Sequence, residues 1–221
     1  MPINKLISIV GDAYLQPISV LLEKLFLHPG YPEDEVSTGT RTNGYSISIC
    51  ILSFLCFESY TMRIRDRNPK YLSRKYRRNF YFLDFLEELY ENFPNIDMLR
   101  ELVVLRDLIV HNHLWEIDIS SDNQFNRKID NAHKNSFSGD KKYTNCVDLK
   151  TYKTKILQLN VIPTKISKSD VCEVLNTIIE SLLFIETKDI NVCQISNEVV
   201  IFGETGTRRE NFVELISGLC P

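Results

Sequence analysis

Apolar residues recur at three- and four-residue steps in five stretches of the chain, the spacing of one buried helix face. The first covers residues 4–27, with Leu6, Val10, Leu15, Ile18, Leu22 and Leu25 on the stripe. Gly11-Asp12 and Pro17 are places where it can split or kink, and His28-Pro29-Gly30 stops it. The second, residues 44–65, is apolar on most sides, around Ile47, Ile51, Leu55, Phe57 and Met62, with Glu58 in its middle. The third, residues 70–92, starts basic and ends acidic, against the helix dipole. The fourth, residues 96–113, carries Leu99, Leu102, Val103, Leu105, Ile109 and Val110. The fifth, residues 169–186, has Ser169 as its expected N-cap and Val171, Val174, Leu175, Ile178 and Leu182 on its stripe.

Between the fourth and fifth helices the pattern breaks. Residues 120–155 are dominated by Asn, Lys, Asp and Ser and read as a surface excursion. Residues 156–162 alternate and predict a short strand. After residue 188 come an apolar run, Val199-Val200-Ile201-Phe202, and a terminal helix expected over 208–217. The expected architecture is an all-α antiparallel helix bundle over residues 1–188, interrupted by a polar insertion at about 120–165 and followed by an appendage at 189–221.

A net charge of −3 and a pI near 5.9 disfavour a protein that coats duplex DNA. The N-terminal stretch lacks the pattern of a signal peptide. The run from Tyr45 to Tyr60 is short and dotted with serines, so no membrane is expected and a cytoplasmic location is. None of the six cysteines forms a C-x-x-C pair or a zinc-finger spacing. All six are therefore expected as reduced thiols, with Cys50, Cys56 and Cys172 inside helical apolar patterns.

Phosphate-binding glycine loops, the G-x-S-x-G elbow and the H-E-x-x-H zinc motif are absent, and Gly203-Glu204-Thr205-Gly206-Thr207 reads as a turn. The chemistry-bearing segment is Arg106-Asp107-Leu108-Ile109-Val110-His111-Asn112-His113. Arginine offers a fixed fork for a phosphate, and histidine exchanges protons near neutral pH. Together they can cleave RNA without a metal or other cofactor. One group activates the ribose 2′-OH, another protonates the leaving 5′-oxygen, and the arginine stabilises the charged transition state. Arg106 interrupts an apolar run and so needs a partner; Glu58 and Asp107 are the two at hand. On a regular helix His111 lies about 140° round from Arg106, whereas His113 returns to nearly the same face. A second candidate is a basic stretch with interleaved tyrosines: Arg63, Arg65, Arg67, Arg74, Lys75, Arg77 and Arg78. Cations and rings in that mixture suit single-stranded RNA, although a solvated helix face has the same composition.

Arg106-x4-His111, late in a buried helix, resembles the R-x4-6-H signature of HEPN domains. Asp107 stands where that family usually has a polar residue, and Glu58 is similar to its acidic residue in an earlier buried helix. The resemblance covers about residues 1–117 and 165–187. It implies a homodimer with two Arg–His pairs in one composite ribonuclease site, Glu58 orienting Arg106, and Asn112 and His113 assisting. It also implies a toxin–antitoxin or phage-defence setting, with an antitoxin or other defence protein as partner. One subgroup has a tyrosine where this chain has His113, and some members only bind or regulate, for example as partners of a nucleotidyltransferase.

Overall fold

A computed structural model describes residues 11–27, 44–72, 82–110, 115–119, 125–129, 141–203 and 206–220. Among them the chain is mostly helical, with three two-stranded antiparallel sheets added to the expected bundle. The helices are α1 (Gly11–Leu27), α2 (Gly44–Arg67), α3 (Phe82–Leu89), α4 (Ile96–Val110), α5 (Lys141–Cys146), α6 (Lys168–Lys188) and α7 (Phe212–Leu219). The strands are β1 (Trp115–Ile119), β2 (Phe125–Ile129), β3 (Val147–Asp148), β4 (Lys153–Thr154), β5 (Glu198–Gly203) and β6 (Gly206–Asn211). The opening of the first expected helix, residues 4–10, lies outside the described residues.

α2 is the hub. It packs against α1, α3, α4 and α6, which explains why its sequence is apolar nearly all round. Phe54, Phe57, Tyr60 and Ile64 are buried there against Ile18, Leu22 and Leu25 of α1 and against stripes of α4 and α6. Each such side chain contributes about 1.5–3 kcal/mol by leaving water. By length and composition α2 would also pass as a bilayer-crossing helix; here four helices pack on it. Its buried Thr61 is satisfied locally, donating to the Phe57 carbonyl at 2.9 Å. α1 runs through Pro17 without a break, the missing amide falling in its second turn.

Of the third expected helix, Phe82–Leu89 is helical and residues 73–81 lie outside the described residues; its acidic end has a use. Asp84 and Glu87 on α3 meet Arg100 on α4, at 3.8 Å and 2.5 Å, and Asp97 adds a third carboxylate at 2.6 Å. These contacts tie α3 to α4 along their exposed faces.

Several expectations are corrected. Residues 156–162 form no strand; one isolated bridge, Lys153 to Asn160, is all that remains. The reason is that three of their amides bond to carboxylates and the Leu159 amide bonds to Thr154 Oγ1. Glu101 of α4 accepts from the Ile156 and Leu157 amides at 2.8 and 2.9 Å, and Asp170 of α6 accepts from the Asn160 amide at 3.0 Å. Asp170 also closes a capping box with Ser167, which makes Ser167, and not Ser169, the N-cap of α6. At the start of the polar excursion, residues 115–119 and 125–129 pair antiparallel, Trp115 opposite Ile129 through Ile119 opposite Phe125. Its far end is a folded layer: Tyr143, Val147 and Val161 bury a small second core against Val104 and Leu108 of α4.

The 189–221 segment shares the main core instead of hanging from it, through Val192, Cys193, Ile195, Phe212 and Ile216. The terminal helix begins at Phe212, not 208, because residues 206–211 pair with β5 and Asn211 serves as the N-cap of α7. Gly203 stands opposite Gly206, and Glu204 and Thr205 of the expected turn lie outside the described residues.

The cysteine reading holds in part. Cys172 and Cys220 are disulfide-bonded across 48 residues, pinning the end of the chain to α6, while Cys50, Cys56, Cys146 and Cys193 are free thiols. Burial is the first cause raising the pKa of Cys50, Cys56 and Cys193, the last of these to about 12. We expect a thiol reagent on the native protein to label Cys146 alone, because it is the one free cysteine that is not buried. Reduction should then destabilise the fold by about 2–4 kcal/mol in urea titrations, the usual effect of opening a loop of this size. Rapid labelling of all four free thiols would show that this packing is wrong.

Candidate functional site

α4 positions the central arginine. Arg106 is one turn from the end of that helix, and its own apolar neighbours turn it towards α2 and α6. The guanidinium carbon lies 5.1 Å from the centre of the Phe54 ring on α2, close enough for a cation–π contact. Its Nε is buried 3.1 Å from Asp107 Oδ1, without the alignment of a hydrogen bond. Cys50, Leu102, Leu105, Ile109 and Val174 complete a shallow apolar pocket around it. The side chain is 24% exposed. Among the described residues, no ion pair reaches its two terminal nitrogens. The arginine is thus held by its inner edge and by its ring stack, and no described residue forms an ion pair with the outer edge of the fork.

Glu58 does not take the role expected of it. It is half-buried one turn beyond Phe54 on α2, on nearly the same face but about 6 Å further along the axis. Asp107 and Phe54 orient Arg106, and no ion pair joins Glu58 to it. His111, Asn112 and His113 come directly after Val110, the last residue of α4, and lie outside the described residues.

The basic stretch divides. Arg63 donates to the Val192 carbonyl at 3.5 Å, and Arg67 faces Asp189 at 3.7 Å, so both join the end of α2 to the turn after α6. Arg65 is half-buried with its Nε enclosed. Arg74, Lys75, Arg77 and Arg78 lie outside the described residues.

Two buried carboxylates carry no motif; the sequence marks Asp170 only as a first-turn acid of the fifth helix and does not mark Glu101. Glu101 is 1% exposed and sits five residues before Arg106 on the same helix; Asp170 is 6% exposed. Glu101 follows Arg100 in an otherwise apolar run and Asp170 follows Ser169, and no motif spacing marks either. A part-buried polar pair joins Tyr60 of α2 to the exposed Asp12 of α1, the phenol donating to Oδ1. Burial first, and then this bond, push the Tyr60 phenol well above its ordinary range. The strand pair 115–119 and 125–129 was also missed, although Trp-Glu-Ile-Asp-Ile alternates as a strand should.

No family model, curated protein or solved structure matches this chain. What fold and site define is therefore a class by architecture: a mostly helical bundle with a half-open arginine near the end of a core helix.

Proposed function

We propose that this protein is a metal-independent endoribonuclease of HEPN type, acting as a toxin or anti-phage effector in the cytoplasm. The observation that carries the reading is the setting of Arg106. A cation anchored by Phe54 and Asp107, with the outer edge of its fork open, is a pre-formed phosphate seat one turn before the chain reaches His111. In the proposed homodimer two such seats face each other. One histidine removes the proton of the ribose 2′-OH, whose oxygen attacks phosphorus. The bond to the 5′-oxygen breaks, and a second histidine supplies that oxygen with its proton. The products are a 2′,3′-cyclic phosphate end and a 5′-hydroxyl end. Arg106 stabilises the charge on the phosphorane-like transition state.

Bundle topology and the place of the motif support the reading. Arg74, Lys75, Arg77 and Arg78 are the proposed RNA contacts, because Arg63 and Arg67 are already committed to the 189–192 turn. Reversing charge at Arg74 and Arg77 should weaken RNA binding and flatten its salt dependence, measured by filter binding across a salt series. Unchanged binding and slope would remove the basic stretch from the reading. The function itself is tested by incubating labelled single-stranded RNA with wild-type protein in excess EDTA. Cleavage to a cyclic-phosphate end is the expected result. A well-folded dimer that cuts none of a broad set of RNAs would point instead to a binding or regulatory subunit, such as the partner of a nucleotidyltransferase.

A further inference from the structure

The β5–β6 hairpin lies across α1, far from Arg106 in chain order, and no part of the proposed nuclease uses it. Its inner face is spoken for: Ile201 is buried, and Arg208 pairs with Glu23 of α1 and with Glu210. Its outer face and one of its edges are open. The register runs from Glu198 opposite Asn211 to Gly203 opposite Gly206, across a two-residue connection. In such a hairpin the pair flanking the turn exchanges hydrogen bonds, and bonding pairs then alternate. Val199, Ile201 and Gly203 therefore bond to β6. The N–H and C=O groups of Val200 and Phe202 point to the other edge, where no strand is paired among the described residues.

The side chains of those same two residues are exposed, Val200 at 39% and Phe202 at 64%. An edge with free backbone groups and apolar side chains is what soluble proteins ordinarily blunt with charge, proline or a bulge. Among the described residues nothing covers this edge, and beside it opens a cleft of about 330 Å³ lined by Asp12 and Gln16 of α1, Gln194 and Asn197 of the preceding turn, and Glu198 of β5 itself. Its lining, among the described residues, holds two carboxylates and no cation.

We propose that the free edge of β5 is a strand-addition site for an extended segment of a partner protein. That segment alternates apolar and basic residues. Its main chain bonds to Val200 and Phe202, its apolar side chains cover theirs, and a lysine or arginine enters the cleft between Asp12 and Glu198. Main-chain bonds supply affinity in this mode of recognition, and pockets for alternate side chains supply specificity. Charge decides the occupant: a second copy would bring its own acidic edge to this one, whereas a basic segment complements it.

The test uses the full chain and a labelled peptide alternating valine and lysine, with fluorescence anisotropy as the readout. Binding is expected. It should be at least about ten-fold weaker for the valine–glutamate peptide and for Glu198→Lys. It should weaken similarly when alternate peptide amides are N-methylated, a control that leaves the protein untouched. Hydrogen exchange should slow at the Val200 and Phe202 amides on binding. Absence of binding at millimolar peptide would overturn the proposal, as would binding indifferent to N-methylation. So would self-association of the peptide-free protein that Phe202→Lys dissolves, because the occupant would then be a second copy. Each readout is independent of RNA cleavage, so this proposal and the nuclease reading can fail separately.

Discussion

Arg106→Ala is expected to lower RNA cleavage by about 10²–10³-fold, the usual loss when one donor to a charged transition state is removed. His111→Ala should cost about 10²–10⁴-fold, the range for a general acid or base. What separates a phosphate seat from a structural arginine is the accompanying stability. Arg106 contributes a cation–π contact and a poorly aligned approach to Asp107, while its buried Nε carries a desolvation cost. These oppose each other, so Arg106→Ala should change stability by no more than about 1–2 kcal/mol. Arg106→Lys sharpens the comparison. It keeps the charge but loses the planar fork, and should keep the fold while losing most of the activity. If thermal unfolding falls steeply in Arg106→Ala, and activity falls only as far as the folded fraction does, the residue is a structural pair and the nuclease assignment to it is wrong.

Glu101→Ala should be the most destabilising substitution of a polar residue, costing about 3–5 kcal/mol in urea unfolding. Two backbone amides, Ile156 and Leu157, would lose the carboxylate that receives them, and the helix would keep a cavity at a position 1% exposed. Glu101→Gln keeps one acceptor oxygen but turns an amino group towards the second amide, so an intermediate loss of about 1–3 kcal/mol is expected. The damage should begin locally, as faster hydrogen exchange at Ile156 and Leu157, and spread to the Tyr143–Val147–Val161 core behind α4. A variant within about 1 kcal/mol of wild type would mean that water replaces the carboxylate and that the loop is held by Asp170 and the second core instead.

The helices were legible because their signal is local and periodic. The stripes of α1, α2, α4 and α6 can be read off residue by residue, since burying one face every 3.6 residues is a property of each segment alone. The arginine motif was legible for the same reason: a charge inside an apolar run stands out without knowledge of its neighbours. Its partner did not. Glu58 and Asp107 were equal candidates along the chain, and only the crossing of α2 over α4 put Phe54 on the guanidinium and left Glu58 a turn away. The same holds wherever contacts join distant residues. Residues 156–162 alternate like a strand, yet two acids 55 and 10 residues away take three of their amides. Cys172 and Cys220 carry no pairing signal at a separation of 48, and become neighbours only because α7 returns to α6. The sequence by itself thus determined which segments are helical and which face of each is buried. Tertiary structure decided which polar groups are satisfied and by whom, because a buried donor or acceptor can be met from anywhere in the chain that packing brings within hydrogen-bonding distance.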